Sequence, residues 1–241
     1  MRFGVVIFPG SNCDHDLIYL LREVYQQDVV ELWHKDMDLQ GLTPQDCILL
    51  PGGFSYGDYL RCGAVARFSP IMDLVVAHAN QGGYVWGICN GFQILCESGL
   101  LPGVLLRNRD QRFICKNVWL KPETEDSAIT LLCDIETPLQ VPIAHAEGRY
   151  YCDDATLTDL KANDQILFRY CDENGDVTDS ANPNGTTENI AGICNAGRNV
   201  FGMMPHPERC ADMRLGNIDG SLLFESLLAF TQQYELGEVA L

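Results

Sequence analysis

Short runs of apolar residues recur along the first part of the chain, each followed by a longer stretch with apolar residues every three or four positions. The short runs fit buried strands, and the longer stretches fit amphipathic helices. We predict strands at 3–8, 29–33, 47–50 and 84–88, and helices at 14–25, 70–81 and 91–98. Ser69 before Pro70 has the form of a helix cap and first turn. Strands and helices that alternate in this way predict an α/β fold, with helices on both faces of an open, mostly parallel sheet.

The pattern changes after residue 113, where strands and turns predominate as far as residue 200. Asn174-Gly175 and Asn184-Gly185 are dipeptides that favour hairpin turns. Two closing elements are predicted, a strand at 200–204 and a helix at 220–234. No repeat, low-complexity segment or linker interrupts the chain. We therefore predict one domain over residues 1–241.

The composition fits a globular protein with an acidic surface. The chain has 241 residues, and 46% of them are hydrophobic, which is enough for a sizeable core. Its 33 acidic and 16 basic residues give a formal net charge of −17. Such a surface repels phosphate backbones and anionic lipid, so we expect neither nucleic acid nor a membrane as a partner. The charge fits a well-solvated protein, and a docking face for a basic subunit remains the alternative.

Eleven cysteines raise the question of disulfides or a metal site. Their number is odd and no pair has C-x-x-C spacing, so neither a disulfide framework nor a thiolate zinc site is predicted, and no metal is expected. The chain begins directly with a strand, without a signal-peptide pattern or an apolar run of membrane length. These features favour reduced thiols in a cytoplasmic protein.

Cys89 differs from the other cysteines in its setting. The apolar run 84–88 leads straight into Cys89-Asn90-Gly91, and a predicted helix follows. A nucleophile on a sharp strand-to-helix turn needs small neighbours, which Gly87 and Gly91 supply. The start of a helix also favours the reactive thiolate. Cys89 is thus a candidate nucleophile, although a buried structural cysteine in a glycine-rich turn has the same local pattern.

His206 and Glu208 lie together after the predicted strand at 200–204. Residues two apart in extended chain point to the same side, and Pro207 favours extended backbone angles at His206. A carboxylate in that position can orient an imidazole and fix its tautomer, as in a catalytic triad. The alternative is a surface loop in which His206 has no role.

Pro51-Gly52-Gly53 ends another predicted strand. Ligands of open α/β sheets bind outside the carboxyl ends of the strands, where backbone N–H groups can face an oxyanion. The overlapping stretch 53–57 also has the G-x-S-x-G form of a serine hydrolase. That alternative is weaker, because the residues that follow, Asp58-Tyr59-Leu60-Arg61, are a poor start for a helix packed on a sheet.

Taken together, these motifs resemble the class I, or triad, glutamine amidotransferases. The similarity is greatest to the branch that serves an amidine-forming synthetase of purine biosynthesis. The stretches that carry it occur in order along the chain: 7–14, 51–63, 87–93, 144–150, 182–185 and 204–209. Ala146 departs from the pattern, because the family often has glycine there.

The resemblance implies a flavodoxin-like sheet with a triad of Cys89, His206 and Glu208 at its strand ends. Cys89 would attack the glutamine carboxamide, and the backbone N–H groups of Gly53 and Asn90 would form the oxyanion hole. The substrate pocket is expected at Gln93, on the helix after the nucleophile, and in the loop that contains His145 and Arg149. These three residues are named from their positions in the motifs.

The resemblance also implies partners. L-glutamine is the expected substrate, and an ATP-dependent synthetase subunit the expected recipient of ammonia, together with a small accessory subunit. This chain has no G-x-x-x-x-G-K-[ST] pattern, so no cofactor is expected here, and ATP and magnesium are expected on the synthetase. Two alternatives remain: a stand-alone cysteine hydrolase of the same fold, such as a γ-glutamyl hydrolase or a peptidase, and a silent regulatory subunit.

Overall fold

The structure is a computed structural model that describes residues 1–235. Its strands are β1 (Phe3–Ile7), β2 (Val29–Trp33), β3 (Cys47–Leu50), β4 (Tyr84–Ile88), β5 (Val104–Leu106), β6 (Ile114–Pro122), β7 (Leu139–His145), β8 (Arg149–Tyr151), β9 (Ile166–Cys171), β10 (Ile190–Cys194) and β11 (Val200–Met203). Its α-helices are α1 (Asp14–Tyr19), α2 (Pro70–Asn80), α3 (Asn90–Glu97), α4 (Asp154–Ala162) and α5 (Ser221–Glu235).

Nine of the strands form one mixed sheet in the order β2-β1-β3-β4-β11-β10-β9-β6-β7. The first five strands of that order run parallel, and the remaining pairs are antiparallel. Strands β5 and β8 form a separate two-stranded ribbon. The predicted α/β fold class is confirmed, and the parallel half matches the order of a flavodoxin-like sheet.

The parallel half agrees closely with the hydrophobic pattern. Three predicted strands have the bounds of β2, β3 and β4, because each is a short, strongly apolar run. The helix predicted at 14–25 is helical, but α1 passes into a π-helical segment at Leu20–Val24. Ser69 precedes α2 as predicted, yet its hydroxyl contacts Tyr56 Oη at 2.8 Å and makes no capping bond.

The second half departs more from prediction. Helix α4 was missed because only Leu160 on it is buried, so its apolar pattern is weak. Asn174-Gly175 and Asn184-Gly185 do not make two hairpins, because both lie in the single long connection between β9 and β10. Within it, Asn182 Oδ1 accepts hydrogen bonds from the N–H groups of Gly185 at 2.8 Å and Thr186 at 3.1 Å.

The close packing of α3 on the sheet places the residues of interest. A methyl group on Gly91 would lie 2.0 Å from the carbonyl oxygen of Leu50, so α3 rests directly on β3. The carboxyl ends of β1, β3, β4 and β11 meet at one edge of the sheet because the strands are parallel. Among residues 1–235, no helix is both long and apolar enough to cross a membrane.

Candidate active site

Cys89 lies at the sharp turn from β4 into α3. Its backbone has φ 52° and ψ −105°, a conformation that costs a non-glycine residue free energy and recurs at functional sites. Its N–H donates to the carbonyl of Met203 at 2.7 Å, which ties the turn to β11. Cys89 is 5% exposed, and its thiol faces the carbonyl oxygen of Ala144 at 3.8 Å. The structure thus has the strained turn that the glycine-rich motif predicted.

His206 and Glu208 follow β11, which pairs in parallel with β4. The two strands end side by side, and this brings the residues after them together with Cys89. The His206 Nδ1 atom lies 2.6 Å from Oε1 of Glu208, and both residues are buried. The backbone N–H of His206 donates to the carbonyl of Pro142 at 2.8 Å. The carboxylate therefore fixes the orientation of the imidazole.

The charge of His206 is set by opposing effects. Burial lowers its pKa, but the Glu208 carboxylate and the Cys89 thiol together raise that pKa well above its usual value. The imidazole is thus held as a cation next to the thiol of Cys89. Such a cation can give a proton to a leaving amine, and it favours a neighbouring thiolate.

Gly52 lies under these side chains and leaves room for them. A methyl group on Gly52 would lie 2.6 Å from Cε1 of His206, 3.3 Å from Cβ of Cys89 and 3.1 Å from Sγ of Cys13. Cys13 is a second buried thiol at the site, and it also interacts with the His206 side chain. It was missed from the sequence, because nothing in the local pattern around it signals a contact with residues at the other end of the chain.

The two predicted oxyanion donors are close to the nucleophile. Asn90 is the first residue of α3, where backbone N–H groups have no partner within the helix. Its side-chain Oδ1 accepts from the N–H of Ser55 at 3.1 Å and so links α3 to the loop after β3. Gly53 in that loop has φ 128°, and a methyl group there would lie 2.6 Å from the amide nitrogen of Asn12. Only glycine fits that position.

Gln93 is buried on α3, one turn after the nucleophile. Its Oε1 accepts from Nδ2 of Asn90 at 2.8 Å, and its Nε2 donates to the carbonyl of Glu147 at 2.6 Å. Both ends of the amide are therefore engaged by the protein. Gln93 links α3 to the loop after β7, and so holds that loop next to the turn at Cys89.

His145 ends β7 and is buried beside the triad. Its Nδ1 lies 3.0 Å from Oδ1 of Asn108, while its Nε2 has no hydrogen-bond partner. Burial lowers the pKa of His145 to about 4, with a smaller effect from His206, so this imidazole is neutral at neutral pH. Arg149 begins β8, and its buried Nε has no hydrogen-bond partner. The roles predicted for both residues in glutamine binding stay predictions.

The serine-hydrolase pattern does not form a comparable site. Ser55 begins a short 3-10 turn, Ser55–Asp58, which is not the start of a packed α-helix. Its hydroxyl is buried and has no hydrogen-bond partner, and His206 interacts with Cys89, Cys13 and Glu208. Ser55 therefore lacks the base that would activate it.

Comparison with known sequences agrees with this geometry. A family model described as a CobB/CobQ-like glutamine amidotransferase domain matches residues 1–221. A protein from Koribacter versatilis (strain Ellin345), named phosphoribosylformylglycinamidine synthase subunit PurQ, is 58% identical over 95% of this chain and 97% of its own length. A protein of the same name from Acaryochloris marina (strain MBIC 11017) is 55% identical over 95% and 96%.

Solved structures show the same likeness. A chain in the structure of PurLQS from Thermotoga maritima matches with a TM-score of 0.81 and 41% identity, over 95% of this chain and 98% of that chain. A glutamine amidotransferase from the same organism matches with a TM-score of 0.56 over 100% and 86% of the two chains. That second match has 13% identity and concerns the fold alone.

Proposed function

Because this chain belongs to the family of CobB/CobQ-like glutamine amidotransferase domains, we propose that it is the glutaminase subunit of phosphoribosylformylglycinamidine synthase. It hydrolyses L-glutamine to glutamate and ammonia, and a synthetase subunit uses the ammonia to make formylglycinamidine ribonucleotide in purine biosynthesis. The observation that carries this proposal is the His206–Glu208 pair, with Nδ1 and Oε1 2.6 Å apart, beside the strained turn of Cys89.

In the first half of the reaction, the thiolate of Cys89 attacks the side-chain carboxamide carbon of glutamine. The negative charge that develops on the amide oxygen is stabilised by the backbone N–H groups of Gly53 and Asn90. His206 then donates its proton to the nitrogen, and ammonia leaves. Its raised pKa suits this step, because the proton is present before the substrate binds.

In the second half, water hydrolyses the thioester. His206 is neutral after giving up its proton, so it can remove a proton from water as the water attacks the thioester carbon. The same two N–H groups stabilise the second oxyanion, and glutamate is released as the Cys89 thiolate forms again. Glu208 touches no reacting atom, and it orients the imidazole and stabilises its cationic form.

Free ammonia in water at neutral pH is mostly ammonium, which is not a nucleophile, so the product must pass directly to a partner. The relatives' names and the PurLQS structure support a synthetase subunit as that partner. We further propose a small accessory subunit, ATP and magnesium on the synthetase, no cofactor in this chain, and assembly in the cytoplasm.

Replacement of the nucleophile tests the proposal. We expect Cys89→Ser to lower glutamine hydrolysis by at least about a thousandfold, because a hydroxyl is a far weaker nucleophile at neutral pH. Glutamate release is measured with and without the synthetase subunit. Cys133→Ser, at a cysteine that is equally buried but remote from the site, is the matched control and should keep the wild-type rate.

The same assay separates the alternatives. A subunit that supplies a synthetase should release glutamate faster when the synthetase is added, whereas a stand-alone γ-glutamyl hydrolase or peptidase should not respond. A silent regulatory subunit should release none in either condition. Retention of most of the turnover by Cys89→Ser would refute the triad assignment.

A further inference from the structure

Cys13, His206 and Glu208 form a buried cluster that we call the Cys13 cluster. One ligand atom from each, the thiol sulfur, a ring nitrogen and a carboxylate oxygen, lies within 4.8 Å of the other two. All three residues are at most 3% exposed. Cys89 is adjacent to this cluster. A methyl group on Gly52 would lie 3.3 Å from Cβ of Cys89 and 3.1 Å from Sγ of Cys13.

The imidazole of His206 is oriented for a ligand on its second nitrogen. Glu208 occupies the Nδ1 side at 2.6 Å, while the buried Nε2 has no hydrogen-bond partner of good geometry. The thiols of Cys13 and Cys89 both interact with this ring. A histidine whose Nδ1–H points at a carboxylate and whose Nε2 faces soft ligands is a common arrangement in zinc sites, where the carboxylate fixes the tautomer.

The charges around Cys13 also favour a cation. Its sulfur accepts a hydrogen bond from Nη2 of Arg209 at 2.9 Å, and it also interacts with the cationic imidazole of His206. Asp16 pairs with Arg209 at 3.2 Å and largely offsets its charge. The neighbouring Asp14 and Glu208 are both buried carboxylates. Three carboxylates therefore outweigh the guanidinium and the imidazolium around the cluster.

We propose that the Cys13 cluster is an inhibitory site for Zn²⁺, held by Sγ of Cys13 and Nε2 of His206, with Sγ of Cys89 as third ligand. Glu208 keeps the imidazole in place from the outer shell. Ideal zinc bonds are about 2.0–2.3 Å long, so the three side chains would adjust their positions as the metal binds. Binding releases the protons of the thiols and of the imidazole to the solvent.

Bound zinc would occupy the nucleophile and the base together, and so stop glutamine hydrolysis reversibly. This consequence rests on the proposed glutaminase function, whereas metal binding itself does not. Zinc at this site acts as an inhibitor and not as a cofactor. Thiolate and imidazole ligands suit Zn²⁺ better than magnesium or calcium, which prefer oxygen.

Cobalt(II), a spectroscopic substitute for zinc, tests binding on the full chain without reference to activity. Wild type should give a thiolate-to-cobalt charge-transfer absorption at one metal per chain, and Zn²⁺ should displace it. Cys13→Ser should weaken cobalt binding at least about tenfold, because an alcohol is a poor zinc ligand. Cys133→Ser, a change at a remote buried cysteine, should bind cobalt as wild type does. Equal binding by Cys13→Ser and wild type would overturn the proposal.

Inhibition is tested by titrating Zn²⁺ into the glutaminase assay with the synthetase subunit present. Each variant is compared with its own metal-free rate, so any effect of the substitution on turnover cancels. Zinc should inhibit wild type and Cys133→Ser alike, a chelator should restore both, and Cys13→Ser should need at least about ten times more zinc. An unchanged zinc requirement in Cys13→Ser would refute the inhibitory site.

Alkylation of the wild-type chain covers the case in which Cys13→Ser does not fold. Zinc should protect Cys13 and Cys89 from iodoacetamide, as measured by peptide mass spectrometry, and leave the labelling of exposed Cys115 unchanged. Labelling of Cys13 at the same rate with and without zinc would contradict the site. If glutamine hydrolysis were absent altogether, the proposed function would fail while the cobalt and alkylation results would still decide on metal binding.

Discussion

His206 depends on Glu208 for both its orientation and its charge. The carboxylate accepts from Nδ1 at 2.6 Å, so it selects one tautomer, and it raises the pKa of an imidazole whose pKa burial alone would lower. The site thus uses one buried carboxylate for two purposes. A neutral side chain of the same shape could still partly orient the imidazole of His206, but it could not stabilise the positive charge of that ring.

Glu208→Gln is therefore expected to lower turnover by about 10²- to 10⁴-fold and to change its pH dependence. In wild type the cationic His206 persists until the pH rises through its raised pKa, so the alkaline limb of the rate lies at high pH. Without the carboxylate that pKa falls, and the alkaline limb should move to lower pH. The measurement is kcat for glutamine against pH.

Glu136→Gln, at an exposed loop position, is the matched control for removal of a carboxylate and should keep the wild-type profile. An alkaline limb of Glu208→Gln at the wild-type pH would show that Glu208 does not set the charge of His206.

His145 supplies a prediction about stability. Its pKa is about 4 in the folded protein, against 6.5 for a solvated histidine. Below pH 6.5 the unfolded chain binds a proton that the folded chain does not, so stability falls as the pH drops from 6.5 to 4. The shift corresponds to about 3 kcal/mol over this range.

His145→Gln should remove that part of the acid sensitivity. Urea titrations at pH 7 and pH 4 give the unfolding free energy of wild type and variant. From pH 7 to pH 4, wild type should lose about 3 kcal/mol more than His145→Gln loses. His15→Gln, at an exposed position, is the control and should follow wild type. Parallel curves for wild type and His145→Gln would refute a neutral, buried His145.

At the scale of elements, a helix or strand could be predicted from the sequence when many of its residues are buried. Strands β3 and β4 were predicted to the residue, because every residue in them is buried. Helix α4 was missed because it buries one side chain. The π-helical segment after α1 could not be foreseen, because it keeps the apolar spacing of a helix and changes only its hydrogen bonds.

The contact between α3 and β3 yields a prediction at this scale. A methyl on Gly91 would lie 2.0 Å from the Leu50 carbonyl oxygen, so Gly91→Ala must push α3 away from the sheet. We expect a loss of at least about 2 kcal/mol in unfolding free energy. We also expect a fall in kcat of at least tenfold, because Cys89 and the N–H of Asn90 move with the helix.

Gly82→Ala is the matched control for Gly91→Ala. A methyl there meets nothing within 4 Å, although its φ of 88° makes the backbone strained. It should cost about 1 kcal/mol and leave kcat unchanged. Both variants are compared by urea unfolding and glutamate release. Equal effects of the two substitutions would show that the close approach of α3 to β3 is unimportant.

At the scale of the whole molecule, a functional residue could be predicted when its interaction partners lie close to it in the sequence. His206 and Glu208 are two positions apart, and the glycines that mark Cys89 flank it directly. Cys13 could not be found in this way, since its contacts with His206 and Arg209 join opposite ends of the chain. Only the order of the parallel strands brings these residues to one edge of the sheet.

The net charge of −17 leads to the last prediction. Ion pairs such as Arg109–Asp110 and Arg22–Glu31 are exposed, and pairs of this kind contribute less than about 1 kcal/mol each. The acidic excess repels itself over the whole surface, and we expect this repulsion to outweigh the pairs at low ionic strength. Raising NaCl from about 0.01 to 0.5 M shortens the Debye length from about 30 Å to less than 10 Å.

The melting temperature should therefore rise with NaCl and rise equally with KCl, because screening depends on ionic strength and not on the cation. Glu173→Lys, which replaces an exposed acid by a base, should raise the melting temperature at low salt and lose that advantage at high salt. The neutral change Glu173→Gln should give about half the effect. A melting temperature that falls as salt increases would mean that the ion pairs outweigh the repulsion, and that the acidic excess is balanced by the placement of the charges.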